Sequence, residues 1–392
     1  MNSQEYSLEY LNKPMIFVIR LSAIGDTLIV TRAMHRLESL GFEPILITSP
    51  ECSDIAKLNI FSKYVCIFNP KKNTDFKNQL EFWQRDSQNA FVQLPTENFN
   101  LKLNSIDVLD MQCTSRSRKC IEELASTFSN SKISTFKVEK RSFFRFFLLF
   151  KAYFLTLFTG QLKGKQFQFI NITRIHDLQK ETIDAYIKSS NKIIHLESTE
   201  KFSQILLKST PQIEMGSKIS KPFVALFPGA SGPLKAWPKE QFRELINLIL
   251  INTNFDVVIC GGKGEISVAE YLHFPNNNRI INTTAKTTLK ETLFTIAAAT
   301  YIVTGDSFAA HAADLYNIPC SVIFGGTSPE FGFVPISPRI KTHYANLSCS
   351  PCTRHGKGQC RFRNLKCLTD ISPSLIYSDI AALIIPIAEN KI

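Results

Sequence analysis

The sequence predicts an α/β protein of two parallel-sheet domains, and three observations carry that prediction. Near the start, the apolar run Met15–Leu21 ends at Ser22-Ala-Ile-Gly25-Asp26. A helix-like stretch, Thr27–Leu40, follows, and a second apolar run, Pro44–Thr48, comes after Gly41. That order is strand, helix, strand. A second series of the same kind begins at Phe223–Phe227. Between the two, Glu197–Lys221 is mostly polar, rich in Ser, Thr and Lys with Pro211, and reads as a linker. The chain therefore divides into residues 1–205 and 206–392. Alternating strands and helices imply parallel sheets, here two of them with a cleft between.

The remaining elements follow in order. Ile106–Met111 reads as a strand, and Arg116–Thr127 and Glu181–Lys188 carry helical patterns. In the second half Lys239–Ile251 is a helix, Asp256–Cys260 a strand, and Glu265–Leu272 a helix entered through Gly261-Gly262. Leu289–Ala299 is helical and leads to the strand that stops at Asp306-Ser307. A helix containing His311 follows, then an apolar run closing on Phe324-Gly325-Gly326-Thr327-Ser-Pro329. Ser372–Ala388 reads as a closing helix.

At 392 residues, 44% hydrophobic and 20% charged, the chain is globular, which excludes a disordered chain and a membrane channel. Its formal net charge of +11 suits nucleotide phosphates, acidic glycolipids or an anionic membrane face. There is no nucleic-acid recognition motif, so no nucleic acid is expected as partner. The first residues are polar and acidic, unlike a signal peptide, and no uncharged run is long enough to span a bilayer. Ten cysteines without such a signal suggest reduced thiols in the cytoplasm.

Ligands of open α/β sheets bind beyond the carboxyl ends of the strands, and a helix start favours an anion such as a diphosphate. Asp306-Ser307 stand at such a place. The plainer reading is that they cap a helix and that His311 is a satisfied core histidine.

Four motifs stand in order along the chain. They are Ile19-Arg-Leu-Ser22-Ala-Ile-Gly25-Asp26; Asp107-Val-Leu-Asp110-Met-Gln112 with Arg116-Ser117; Phe227-Pro-Gly229-Ala-Ser231 with Lys235-Ala-Trp237-Pro238; and Asp306-Ser307 with His311 and Gly326-Thr327-Ser-Pro329. Together they resemble the family-9 glycosyltransferases, the lipopolysaccharide heptosyltransferases, over about Met15 to Leu368. The resemblance implies the GT-B fold, two Rossmann-like domains facing across a cleft. It also implies inverting transfer of heptose from an ADP-activated donor to the lipopolysaccharide inner core, on Kdo or heptose, with no catalytic cofactor. The absence of an Asp-x-Asp metal motif agrees with this. Other readings are a heptosyltransferase acting on an autotransporter protein or another surface glycan, and a non-catalytic nucleotide-binding homologue. A dehydrogenase is disfavoured, because no Gly-x-Gly-x-x-Gly joins the first strand and helix.

An inverting transfer needs a base for the acceptor hydroxyl and positive charge for the departing diphosphate. Asp26, beside Gly25 at a strand-to-helix turn, fits the base, with a helix cap as the lesser alternative. Lys235 fits the phosphate partner, with Ser231 as a donor in the same loop, or else a solvated lysine. The resemblance implies that Asp306, Ser307, His311, Gly326 and Thr327 bind the donor. It further implies that Glu265 accepts from ribose hydroxyls, although a first-turn glutamate is also favoured by the helix dipole. Arg116, with Gln112, is expected to face the acceptor, since a guanidinium matches a Kdo carboxylate. Two departures from the family stand out: Phe308 and Cys113 occupy positions where it commonly has glycine.

Two further segments carry signals. Arg141–Phe158 holds seven phenylalanines, with Arg141, Arg145, Ala152 and Thr156 near one stripe at helical spacing. It reads as an amphipathic helix, lying either on the inner membrane or buried between domains. Cys349-x₂-Cys352-x₇-Cys360-x₆-Cys367 has a spacing suited to structural zinc or iron, like the cysteine cluster of part of the family. Free thiols or a disulfide are the alternatives. The protein is expected in the cytoplasm, peripheral on the inner membrane.

Overall fold

The computed structural model describes residues 14–58, 64–69, 80–85, 91–94, 105–129, 131–138, 142–161, 174–190 and 222–384. The chain forms two compact units, Met1–Lys140 with Ile175–Ser209, and Arg141–Arg174 with Thr210–Ile392. The sequence division at 205/206 is contiguous, whereas by packing the segment 141–174 goes with the second unit. The linker expected over Glu197–Lys221 falls outside the described residues.

The first unit begins with β1 (Met15–Ile19), α1 (Ile24–Ser39), β2 (Glu43–Thr48), α2 (Ser53–Leu58) and β3 (Tyr64–Phe68). It continues with β4 (Leu80–Arg85), β5 (Phe91–Leu94), β6 (Ser105–Asp110), α3 (Ser115–Thr127) and β7 (Lys132–Lys137). After α4 (Ser142–Thr159), which packs with the second unit, α5 (Ile175–Ser190) returns to the first. The sheet runs β5-β4-β3-β2-β1-β6-β7. Five strands are parallel, but β4 and β5 join antiparallel at one edge, so this sheet is mixed rather than wholly parallel. Phe17, Ile19, Ile45, Ile47 and Val108 are buried in its centre with Leu124 of α3. Strands covered on both faces read as continuous apolar runs, which is why β1 and β2 were legible.

The second unit comprises β8 (Phe223–Phe227), α6 (Lys239–Asn252), β9 (Asp256–Ile259), α7 (Ile266–Leu272), β10 (Ile280–Asn282), α8 (Leu289–Ala298) and β11 (Tyr301–Gly305). After these come α9 (Phe308–Tyr316), β12 (Cys320–Phe324), β13 (Ile340–Tyr344), α10 (Lys366–Thr369) and α11 (Pro373–Ile384). Its six strands are all parallel, in the order β10-β9-β8-β11-β12-β13. This is the doubly wound dinucleotide-fold order, with strand direction of winding reversing between β8 and β11. Trp237 anchors the core against Phe242, their rings edge-to-face at 4.9 Å. Its indole N–H donates to the Leu368 and Ile371 carbonyls at 3.2 and 3.1 Å, so the one polar atom of this buried side chain is met.

In the first unit the winding reverses between β1 and β6, in the second between β8 and β11. At those two points the loops from neighbouring strands diverge and leave a crevice.

Candidate active site

At the first crevice, β1 and β6 deliver two loops side by side. Asp26 is the third residue of α1, not its cap; its carboxylate accepts from the Ala23 N–H at 3.3 Å and is paired with Arg20. The Arg20 side chain is almost wholly buried and also donates to the Met111 carbonyl at 2.5 Å. Asp26 stays about a quarter exposed. The arrangement fixes the carboxylate while leaving one side of it to solvent. From the β6 loop, Gln112 exchanges hydrogen bonds with Ser22, both at 3.3 Å, and Arg116 donates to the Ser22 hydroxyl at 2.8 Å. Asp110 ties the loop down by accepting from the Gln112 and Cys113 amides and the Ser117 hydroxyl, at 2.9, 2.7 and 2.9 Å. Asp26, Gln112 and Arg116 therefore share one strand-end surface.

Cys113 sits at φ 49°, the left-handed region that favours glycine. The Cys113 thiol has a single S–H to share between the Asp110 and Val138 carbonyls, at 3.1 and 3.2 Å.

At the second crevice, three loops meet. The Lys235 ammonium pairs with Asp306 at 2.9 Å, both side chains largely buried, and the Thr327 hydroxyl donates to the same Asp306 oxygen at 2.9 Å. Ser307 is the N-cap of α9, its hydroxyl accepting from the Ala309 N–H at 3.3 Å and bonded to Thr304 at 2.8 Å. Ser307 therefore has the plain capping role. Phe308 opens α9 and turns its ring edge-to-face against Phe227, 6.4 Å away. Gly305 is required where it stands: a Cβ there would lie 2.4 Å from the Lys235 carbonyl. His311 lies one turn into α9, half-buried.

Glu265 comes from the β9 turn, where its carboxylate accepts from the Gly262 N–H at 2.7 Å. A Cβ on Gly229 would lie 2.6 Å from its Oε1, so the turns after β8 and β9 touch through this side chain. Beside them Thr284 is buried, and among the described residues its hydroxyl has no hydrogen-bond partner. Ser231 is exposed on the β8 loop. Lys235, Asp306, Ser307, Gly326 and Thr327 are brought together; Glu265 lines the neighbouring turn.

Sequence reading named no role for Arg20, Ser22, Asp110 or Thr284. The first three lie within the quoted motifs; the bonds from Arg20 to Met111 and between Ser22 and Gln112 span about ninety residues of chain, which no local pattern displays, whereas those of Asp110 stay within its own loop.

The cysteine loop leans on the second crevice: Cys352 and Thr353 amides donate to the Gly326 carbonyl at 2.9 and 3.1 Å, and Leu234 to Gly356 at 3.1 Å. Burial pushes the Cys352 thiol up to about 11 and Cys367 to about 12, with the other thiols adding to both shifts. At Cys360 burial pulls upward, but the N–H groups of Leu365, Asn364, Phe362 and Arg363 outweigh it and hold the thiol below its ordinary value. The zinc or iron expectation for Cys349, Cys352, Cys360 and Cys367 is not supported. Among the described residues no group of three or more His, Cys, Asp or Glu side chains is placed to hold a metal ion. Two of the sulfurs have other partners, Cys360 peptide N–H groups and Cys349 the Gln161 amide at 3.6 Å.

The sequence model of glycosyltransferase family 9 (heptosyltransferase) matches residues 151–363. Lipopolysaccharide heptosyltransferase 2 of Escherichia coli K12 is 27% identical over 251 residues, 58% of this chain and 69% of that protein. Lipooligosaccharide heptosyltransferase 2 of Campylobacter jejuni serotype O:6 is 28% identical over 178 residues, 43% of this chain and 54% of that protein. The aligned part of the chain thus spans about half the length of the Campylobacter relative. Among solved structures, E. coli heptosyltransferase WaaC with ADP superposes with a TM-score of 0.61 at 14% identity, covering 94% of this chain and 99% of that one. The E. coli ADP-heptose lps heptosyltransferase II gives 0.56 at 16% identity, covering 94% and 98%. At such identities the likeness establishes the fold, which is that of the GT-B heptosyltransferases.

Proposed function

Since the chain belongs to glycosyltransferase family 9, we propose that it is an inverting enzyme moving heptose from ADP-L-glycero-D-manno-heptose onto the lipopolysaccharide inner core, with Kdo or heptose as acceptor. The observation that carries this reading is the pairing of functions with crevices. A partly exposed, fixed carboxylate stands at one switch point, and a buried ammonium beside a helix start stands at the other.

In the first unit Asp26 takes the proton of the acceptor hydroxyl as its oxygen attacks the anomeric carbon. A positioned base is worth about 10²–10⁴ in rate. Arg20 keeps the carboxylate aimed, and Arg116, fixed through Ser22, answers the acceptor's carboxylate. The C–O bond to ADP breaks on the opposite face of the sugar, which inverts the anomeric centre. In the second unit Lys235 meets the diphosphate. Its ammonium has three donors, of which Asp306 occupies one. The N–H groups at the start of α9 add their share, with Ser231, His311, Gly326 and Thr327 around them. Glu265 accepts from the ribose hydroxyls, and Thr284 is placed to join it. The reading puts the enzyme in the cytoplasm, at the inner face of the membrane that holds the acceptor.

Incubation with ADP-heptose and a Kdo-lipid A acceptor, read by mass spectrometry, tests this. The acceptor gains one heptose if the reading holds. Transfer to an autotransporter protein, or to no acceptor while ADP binds, would replace it with one of the other readings.

A further inference from the structure

We propose that α4 and the cysteine loop beside it form a docking surface for an anionic lipid bilayer, carried by the second unit. The inference deepens, and for its biological sense rests on, the lipid-linked acceptor proposed above.

Helix α4 is packed with one narrow stripe inward. Leu148, Ala152 and Thr156, each four residues from the last, are buried, and Thr156 closes its hydroxyl onto the Ala152 carbonyl. The opposite face is aromatic and open. Phe146, Phe150, Tyr153, Phe154, Leu157 and Phe158 are all at least half exposed, Phe158 by 75%. At 100° per residue they fall within an arc of roughly 140° that contains no charge. The rings of Phe150, Phe154 and Phe158 line up at 6.3 and 5.0 Å. An exposed apolar patch of this kind marks an interaction site.

The surroundings select the partner. From Arg141 to Arg174 and from Phe331 to Thr369 the sequence holds no aspartate or glutamate. These two segments are joined in the structure. The end of α4 is tied to the loop through Ser348 to the Gly160 carbonyl at 2.7 Å and through Gln161 to Asn364 at 3.1 and 2.8 Å. The Arg361 guanidinium lies 5.5 Å over the Tyr153 ring, and Arg354, Lys357, Arg361 and Arg363 are exposed. A two-fold interface with a second copy would set this cationic border against itself. An anionic bilayer satisfies both features, taking the aromatic face into its headgroup boundary and the cations onto its charge. The helix lies in that plane, since no helix among the described residues is long and apolar enough to cross a membrane.

The test is flotation of the full chain with vesicles of phosphatidylethanolamine and phosphatidylglycerol, against phosphatidylcholine alone. The chain should float with the anionic vesicles and bind neutral ones about tenfold less. Phe150→Glu with Phe154→Glu should abolish flotation. Arg361→Glu, on the loop rather than the helix, should weaken it while leaving the aromatic face intact. Both variants should keep the wild-type melting temperature and affinity for ADP, so loss of lipid binding is read apart from loss of sugar transfer. Wild type that stays at the bottom with anionic vesicles would overturn the proposal. So would variants that float like wild type, a double variant that melts early because the face is covered by the chain itself, or a wild-type dimer in light scattering that the double variant makes monomeric.

Discussion

Asp26 and Lys235 are each held by a charge of opposite sign from their own unit, Arg20 for the first and Asp306 for the second. A charge at a partly dry strand end needs such a partner, and the partner also fixes its direction. Asp26→Asn should lower kcat by about 10²–10⁴ while leaving ADP affinity unchanged, measured by transfer rate and calorimetry. Arg20→Gln leaves the base chemically intact but loosens its aim, so kcat should fall by up to about a hundredfold, again at constant ADP affinity. A fall in ADP affinity in either variant would mean that the first crevice serves the donor. Lys235→Ala should show the converse pattern, with ADP binding weakened first. At position 113 the backbone is left-handed, a conformation that favours glycine, and the cysteine there shares its S–H between the Asp110 and Val138 carbonyls.

At the scale of elements, the strands that were legible are those buried on both faces. Met15–Ile19, Glu43–Thr48 and Phe223–Phe227 show unbroken apolar runs, because parallel central strands have no solvent face. The fully buried β3, Tyr-Val-Cys-Ile-Phe, was not read either; β4, with Leu-Glu-Phe-Trp-Gln-Arg, and β7, with Lys-Ile-Ser-Thr-Phe-Lys, also escaped notice. β4 and β7 lie towards sheet edges, where burial is partial and the apolar signal is diluted. The four motifs were visible because each sits at a strand end, where a run of apolar residues breaks into polar ones. Their mutual hydrogen bonds were not, since Arg20 and Met111, or Lys235 and Asp306, meet only through the sheet order. The cysteine spacing was equally plain, yet spacing does not fix where sulfurs point. In α4 the periodicity suggested an amphipathic helix, but a sequence has no means of saying that Leu148, Ala152 and Thr156 face inward and the phenylalanines outward. Trp237 joins the β8 loop to α10 and α11, so Trp237→Ala should cost about 3–5 kcal/mol in urea unfolding, and Trp237→Phe about 1–3 through the two lost hydrogen bonds.

For the whole molecule, stability against acid should be set in part by Asp379, which closes the β12–β13 edge against α11. It accepts from Ser321 at 3.0 Å, Lys341 at 2.7 Å and His343 at 2.7 Å. Burial alone would raise its pKa, but the His343 and Lys341 bonds outweigh that and hold it below the ordinary carboxylate value. A carboxylate depressed in the folded state contributes stability above its unfolded pKa of about 3.9 and loses it as the pH falls through the folded one. Urea unfolding of the second unit should therefore weaken below about pH 4. Asp379→Asn should be less stable at neutral pH, with a flatter profile there; an unchanged profile would show that the network does not titrate with folding. The division of labour between the two units is most directly tested by single-turnover heptose transfer with wild type and Asp26→Asn, both saturated with ADP-heptose. The account predicts that the variant binds the donor as tightly as wild type and transfers at least about a hundredfold more slowly. Transfer at the wild-type rate would contradict it.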